Sequence, residues 1–183
     1  MTGNVRSDFR REVMSVKCKL RKWEISDAAS LASVLGNERV ADFLRDLPRP
    51  YTERDAEAYI GFVLSADPDD VFVYAIEKDG KVIGNVGAFR QENVHRRTAE
   101  LGYYLAEEYH GQGIMTEAVG TLCRKLFAGT DLIRIYAEPF ACNAASRRVL
   151  EKAGFRLEGI LKNAVVKNGK VLDAALYSLT REP

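Results

Sequence analysis

Residues 97–118 read RTAELGYYLAEEYHGQGIMTEA, and this stretch decides the fold. Aliphatic and aromatic residues predict a strand over 97–105. Apolar residues then recur at helical spacing, which predicts a helix over about 113–128. Gly111 and Gly113 stand between the two elements, where glycine allows backbone dihedrals that other residues avoid. Unpaired amides in the first helical turn, together with the helix dipole, favour a phosphate or pyrophosphate at this turn.

The elements on either side of this stretch predict an α/β fold. A half-buried strand is predicted around Val16, Cys18 and Leu20, followed by two or three helices, two of them capped by Ser26 or Asp27 and by Thr52. A short helix between these two is predicted to include Val40, Phe43 and Leu44. A three-stranded meander is then predicted over residues 71–105, because Asp79 and Gly80 form a hairpin signal. Gly84 and Gly87 within it indicate a bulge or close packing.

The rest of the chain adds a strand, a helix and a final hairpin. The strand is predicted over 132–138 and the helix over 143–153, and Asn168-Gly169 joins two last strands. The meander is antiparallel, whereas the strand-helix-strand crossover requires one parallel pair. We therefore expect a mixed, mostly antiparallel sheet flanked by helices. Residues 1–13 are predicted to be an N-terminal extension, disordered or loosely held, and 14–183 a single domain.

Length and charge exclude several classes of protein. The chain has 183 residues, and 27 basic against 26 acidic residues give a net charge of +1. This balance argues against a nucleic-acid-binding or membrane-surface protein. No apolar run approaches the roughly 20 residues that a membrane span needs, and the first residues lack the apolar core of a signal peptide. A cytoplasmic protein is predicted.

Cysteine and histidine are sparse. The three cysteines form no C-x-x-C pair, and the only histidines are His95 and His110. This pattern predicts neither a disulfide framework nor a metal site. A catalytic pair of Cys142 with a histidine is a minor alternative.

The glycine turn alone is a weak signal, since a plain turn without a ligand fits it as well. The third glycine of a dinucleotide-binding fingerprint is missing, and the Gly-Lys-Ser/Thr of a P-loop is absent. In combination with later motifs, however, the chain resembles the Gcn5-related N-acetyltransferase (GNAT) superfamily, and within it the branch that acetylates ribosomal-protein N-termini. The motifs are Leu20-Arg21, Ala99-Glu100-Leu101-Gly102-Tyr103, Gly111-Gln112-Gly113, the Asn143-x-x-Ser146 pair, Gly154-Phe155 and Tyr177.

The resemblance implies an acetyl-CoA site. The pyrophosphate would lie on the turn, and the pantetheine arm would pair like an extra strand with the strand that ends at Leu105. The implied cofactor-binding residues are Tyr103, Tyr104, Leu105, Gln112, Gly113, Ile114, Met115, Thr116 and Asn143. This chain departs from the family's Gln/Arg-x-x-Gly-x-Gly/Ala pattern, with His110 in the first position and Met115 in the last.

Two residues are candidates for catalysis. Glu100 is the candidate base, acting through a water, because it is an acidic residue in an otherwise apolar strand. Its alternative is a glutamate that faces solvent. Many superfamily members have a tyrosine seven residues after the asparagine, where this chain has Leu150, and the resemblance implies that Ser146 replaces it as hydrogen-bond donor to the thiolate. The alternatives are that Ser146 only packs and that Asn143 only caps its helix.

The predicted function is transfer of an acetyl group from acetyl-CoA to a primary amine by direct attack in a ternary complex. The acceptor is a peptide N-terminus or a small molecule, and no metal, nucleic acid or membrane is expected. A non-catalytic acyl-CoA sensor and a different phosphate-binding α/β protein are the alternatives. Exposed strand edges at the C-terminal hairpin are compatible with a homodimer. An acidic stretch over residues 53–70 either attracts a cationic substrate or is a solvated helix face.

Overall fold

The computed structural model describes residues 13–14, 17–45 and 47–181, with 13–14 described by their backbone. The proposed N-terminal extension lies outside these residues apart from Val13. Within the described chain the strands are β1 (Val13–Met14), β2 (Lys19–Arg21), β3 (Val71–Lys78), β4 (Lys81–Arg90), β5 (Thr98–Leu105), β6 (Arg134–Ala137), β7 (Arg156–Lys167) and β8 (Lys170–Thr180). The α-helices are α1 (Ala28–Leu35), α2 (Glu38–Ala41), α3 (Glu53–Ser65), α4 (Ile114–Gly129) and α5 (Ala144–Lys152).

All these strands belong to one sheet, in the order β1-β2-β3-β4-β5-β6-β8-β7. Every neighbouring pair is antiparallel except β5 and β6, which are parallel and joined by the crossover through α4. The predicted mixed, mostly antiparallel sheet is therefore confirmed. Helices α4 and α5 cover one face of the sheet and α1 and α3 cover the other, each over its own apolar core.

Both predicted hairpins form. Asp79 and Gly80 have φ of 51° and 76°, and Asn168 and Gly169 have φ of 50° and 75°. Two consecutive residues in the left-handed region make a turn whose twist matches that of paired strands, and glycine and asparagine adopt it at low cost. The local sequence is sufficient to set these turns.

The two glycines in β4 serve close packing next to a bulge. A Cβ at Gly84 would lie 2.4 Å from the Tyr104 carbonyl oxygen, and one at Gly87 would lie 2.7 Å from Val73 Cγ2. The register between β3 and β4 shifts at Ile76, which opposes Gly84 while the next residue opposes Val82. Both predicted features are present, and β4 lies close to β5 at Gly84 and to β3 at Gly87.

Of the predicted helix caps, the one at Thr52 forms and the one at Asp27 does not. Thr52 and Asp55 form a complete capping box at α3, with each side chain bonded to the other residue's amide. Asp27 precedes α1, but its carboxylate binds Arg21 at 2.7 Å instead of capping the helix. The short helix expected to include Phe43 ends at Ala41, and Phe43 is exposed.

The parallel pair opens into a gap. β5 and β6 pair from Thr98 with Arg134 to Glu100 with Tyr136. β5 then runs on to Leu105, whereas β6 ends at Ala137 and keeps its pairing with β8. Beyond Glu100, the edge of β5 that faces β6 therefore has backbone groups without a ladder partner from β6. This opening between the two strands is called the strand gap below.

Candidate active site

The turn before α4 has the geometry of an anion site. Gly111 and Gly113 both have φ of 75°, and Gly113 is the residue before the first helical turn. The first intrahelical bond at this end runs from the Glu117 amide to the Gly113 carbonyl. The amides of Ile114, Met115 and Thr116 thus have no acceptor within the helix and carry its positive dipole end.

Two of these residues contribute backbone only. The side chains of Ile114 and Met115 are buried in the core beneath α4. The departure from the family pattern at Met115 is therefore accommodated inside the protein, and its larger side chain does not enter the groove outside.

A groove of about 490 Å³ lies against this turn. Its lining includes two lysines that the sequence interpretation missed, one before β2 and one at the end of α5. Lys17 Nζ donates to the Gln112 carbonyl at 2.9 Å. The lining residues are Lys17, Gly111, Gln112, Gly113, Thr116, Glu117 and Lys152. Two ammonium groups beside free amides make a groove suited to a polyanion.

The loop that precedes the turn is fastened at both ends. His110 Nε2 donates to the Leu105 carbonyl at 2.9 Å, and Gln112 Nε2 donates to the Glu108 carbonyl at 3.0 Å. Glu107 accepts from Asn37 and Arg39, and these bonds, with Asn37 first, hold its pKa below the usual range. The glycines are thus presented on a fixed loop.

Tyr103, on β5 beyond Glu100, contacts the first turn of α5. Its phenolic oxygen lies 2.8 Å from Ser146 Oγ and donates to the Ser146 carbonyl at 3.1 Å. Burial raises the pKa of Tyr103 well above its usual value, so the phenol stays protonated at neutral pH. The structure therefore joins a predicted cofactor residue directly to the predicted catalytic serine.

The other two strand residues proposed for pantetheine differ from Tyr103. Tyr104 points to the α1 and α3 side, and its hydroxyl is the one buried side-chain polar atom in the described chain with no hydrogen-bond partner. Leu105 is buried in the opposite core. These two residues offer a ligand in the gap their backbone, not their side chains.

The α5 end of the site is built on a cap. Asn143 Oδ1 accepts from the Ser146 amide at 3.0 Å, which makes Asn143 the N-cap of α5. This places Ser146 in the first turn, next to Tyr103. Leu150, where many family members have a tyrosine, is fully buried. Tyr177 is also buried, donating to Glu151 at 2.7 Å and accepting from Arg147 at 3.1 Å, as expected for a core tyrosine.

Glu100 lies where β5 and β6 part. Its carboxylate pairs with Arg45 Nη1 at 2.8 Å, and Arg45 Nη2 also contacts Glu138 at 3.3 Å. Tyr136, its partner in the parallel register, has its pKa raised by burial and also by Glu100. The side chain of Glu100 is 30% exposed, so it is reachable from solvent but engaged by a cation. Arg45 and Glu138 had no local signal in the sequence.

The described residues contain neither a metal-binding cluster nor a membrane-spanning helix. No three His, Cys, Asp or Glu side chains lie close enough together there to hold a metal ion. No helix within those residues is long and apolar enough to cross a membrane. Cys18 and Cys123 are buried and Cys142 is exposed, and none of the three forms a disulfide within the described part of the chain.

A family model described as the acetyltransferase (GNAT) domain matches residues 17–156. The chain belongs to the GNAT acetyltransferase family. The match includes the glycine turn, the strand gap, Asn143 and Ser146, so this GNAT domain has its site within the part of the chain that defines the family.

Two proteins that are similar in sequence have names that describe an activity. A probable N-acetyltransferase, YjcK of Bacillus subtilis, is 40% identical over 106 residues, which cover 58% of this chain and 59% of that protein. The ribosomal-protein-serine acetyltransferase of Escherichia coli is 34% identical over 106 residues, again 58% and 59%. The chain thus aligns with less than two thirds of the length of each of these curated relatives.

The fold extends further than these alignments. The solved structure of RimL, a ribosomal L7/L12 alpha-N-protein acetyltransferase in complex with coenzyme A, superposes with a TM-score of 0.83 at 25% identity. It covers 93% of this chain and 98% of that one. The GNAT fold is therefore shared almost throughout.

Proposed function

We propose that this GNAT protein is an acetyl-CoA-dependent N-acetyltransferase that acetylates a primary amine. The proposal is based on one observation, that β5 connects an unpaired strand edge to the glycine turn. β5 borders the strand gap and leads into the glycine turn, so a polyanion site and an unpaired strand edge lie on one path. This path suits a ligand with a pyrophosphate at one end and an amide-rich arm.

The residues present fit coenzyme A. The amides of Ile114, Met115 and Thr116 and the ammonium groups of Lys17 and Lys152 would hold the pyrophosphate. The free edge of β5 beyond Glu100 would pair with the amides of the pantetheine arm, as an added strand does. In this proposal Tyr103, Tyr104 and Leu105 contribute backbone, and Asn143 keeps α5 in position.

Bound acetyl-CoA supplies a thioester as the acetyl donor. The amine must lose a proton, a C–N bond forms as the C–S bond breaks, and the departing thiolate takes up a proton. We assign Glu100 as the acceptor of the amine proton, through a water, because it lies at the mouth of the strand gap and is partly exposed. Direct attack in a ternary complex needs no residue that is acylated.

Ser146 is the proposed donor at the leaving sulfur. A serine hydroxyl is too weak an acid to give up its proton alone, so its role is a hydrogen bond that stabilises the thiolate. In the proposed step the Tyr103 phenol, 2.8 Å away, donates a hydrogen bond to the serine oxygen, which holds the hydroxyl in place and leaves its own O–H to point at the sulfur. Leu150 is buried and its side chain has no hydrogen-bond donor, so it cannot take this role.

The acceptor class follows from chemistry and from the relatives. An α-amine has a pKa of about 7.7 to 8.0, against about 10.4 for lysine, so it needs less help to lose its proton at neutral pH. The E. coli relative is named a ribosomal-protein-serine acetyltransferase. We propose a peptide α-amine as the first acceptor class, a small-molecule amine as the second, and the cytoplasm as the place of action.

A panel of amines and peptides tests the proposal. Purified protein and acetyl-CoA should release thiol with at least one acceptor, with one acetylated amine for each thiol. Coenzyme A binding by calorimetry with no turnover on any amine would support the non-catalytic sensor instead. If acetyl-CoA produced no thermal shift at concentrations far above a typical Kd, a different phosphate ligand would be favoured.

Two further proposals concern the surface. β7 is the outer strand of the sheet and carries exposed Leu157 and Val166, which favours a homodimer through this edge. Light scattering would test this.

The acidic stretch over 53–70 stays a prediction. Charge reversal of Glu53 and Glu57, both exposed on α3, should lower kcat/KM for a cationic acceptor in a salt-dependent way.

A further inference from the structure

Arg45 occupies the place that an acceptor amine needs. Its guanidinium lies 2.8 Å from Glu100 and 3.3 Å from Glu138, the two carboxylates that flank the point where β5 and β6 part. While the guanidinium contacts an oxygen of each carboxylate, those oxygens are not open to an ammonium group. For Glu100 to take a proton from an amine, the guanidinium has to move.

The position of Arg45 allows such a movement. Its backbone is held from the β7–β8 hairpin, since Lys167 Nζ donates to the Leu44 carbonyl at 2.7 Å and to the Arg45 carbonyl at 3.1 Å. Its side chain is 51% exposed. Ion pairs that water reaches are weak, so the long side chain can exchange with another cation while its backbone remains fixed.

We propose that the Arg45 guanidinium competes with the acceptor ammonium for the carboxylates of Glu100 and Glu138, and that these two carboxylates select cationic acceptors. This inference rests on the proposed function. An incoming primary ammonium displaces the guanidinium and pairs with the two carboxylates. Loss of its proton and attack on the thioester convert it into a neutral amide. The amide has no charge with which to hold the carboxylates, so Arg45 returns and product leaves.

The same segment of chain contains a matched control. Arg49 pairs with Asp42 at 2.8 Å, and both of these side chains are at least 40% exposed. Arg49→Ala removes an exposed guanidinium four residues away along the chain without touching Glu100 or Glu138. A general effect of charge or of a weakened loop would appear in both variants, whereas competition at the site would appear only in Arg45→Ala.

A binding experiment tests the inference without turnover. Protein labelled with carbon-13 at the glutamate carboxyls is titrated with ethylamine hydrochloride, with sodium chloride at matched ionic strength and with N-ethylacetamide. Glu100→Gln and Glu138→Gln assign the two signals. We expect ethylammonium to shift both signals, and its half-saturating concentration to fall at least about fivefold in Arg45→Ala but to stay unchanged in Arg49→Ala. N-ethylacetamide should shift neither signal in the wild type.

Two results would overturn the inference. One is ethylammonium acting no differently from sodium, and the other is equal half-saturation in Arg45→Ala and the wild type. Neither depends on acetyl transfer, so a protein that binds ethylammonium as expected but acetylates nothing would contradict the proposed function alone. With an amine that the protein acetylates, Arg45→Ala should also lower KM for that amine and strengthen inhibition by its acetylated product.

Discussion

The phenolic oxygen of Tyr103 on β5 lies 2.8 Å from the hydroxyl oxygen of Ser146 on α5. The same phenol donates to the Ser146 carbonyl at 3.1 Å. This pair connects β5 to the first turn of α5 and fixes the position of the serine hydroxyl. It also explains how a family member with leucine at position 150 keeps a polar group beside the proposed thioester site.

Tyr103→Phe should therefore impair the chemical step more than binding. Without the phenol the Ser146 hydroxyl loses its positioning partner, and we expect kcat to fall roughly tenfold, about 1.4 kcal/mol of transition-state stabilisation. The Kd for coenzyme A should change little, because Tyr103 contributes backbone to that ligand. Tyr74→Phe, in the same core but away from the gap, is the control. An unchanged kcat in Tyr103→Phe would remove Tyr103 from the mechanism.

Asn143 allows capping and ligand binding to be separated. Asn143→Ala removes the acceptor of the Ser146 amide and should destabilise the protein by about 1 kcal/mol. Asn143→Asp keeps an N-cap and should keep Tm close to that of the wild type. Thermal melts and coenzyme A calorimetry on both variants measure the two effects. A Tm unaffected by Asn143→Ala would show that this cap does not stabilise α5.

The groove lysines should determine affinity for the donor. Replacing Lys17 or Lys152 by methionine keeps an apolar stem but removes one positive charge from the groove. We expect each variant to bind coenzyme A several-fold more weakly and with a smaller dependence on salt than the wild type. Lys170→Met, on the β7–β8 hairpin and outside the groove, is the control. Equal affinity in all three variants would mean that the turn amides hold the pyrophosphate alone.

Glu158 should make folding sensitive to acid. Arg134 and Ser178 hydrogen-bond its carboxylate and, with Arg134 first, lower its pKa to about 2. Because the folded-state pKa is below the unfolded one, this contribution is present above about pH 4.5 and is lost as the pH falls towards 2. Denaturant unfolding of Glu158→Gln should show a shallower loss of stability over that range. A slope identical to that of the wild type would contradict the assignment.

The fold was largely predictable because its signals are local. Asn168-Gly169, the periodicity of α4 and the capping residue Thr52 each act within a few positions, and the structure contains all three. The short helix α2 ended earlier than expected, since Phe43 lies on the surface and adds no core contact to extend it. The crossover through α4 required one parallel pair, which the sheet has between β5 and β6.

The site was predictable only where its residues are neighbours in sequence. The glycine turn and the Asn143 cap of the Ser146 amide follow from short spacings. Lys17 and Arg45 reach the site from distant segments, and their partners depend on where β5 and β6 separate. A pattern of residue types does not encode that separation, so neither the ion pair at Glu100 nor the Tyr103 contact could be foreseen.

We propose that Glu100 and Ser146 together carry out acetyl transfer to a primary amine. The most direct measurement compares thiol release and acetylated amine in the wild type and in the double variant Glu100→Gln, Ser146→Ala, at acetyl-CoA concentrations shown by calorimetry to saturate both. We predict equal yields of thiol and acetylated amine in the wild type, and a rate reduced at least a hundredfold, about 2.7 kcal/mol, in a double variant that still binds coenzyme A normally. Wild-type turnover in that variant would contradict the claim.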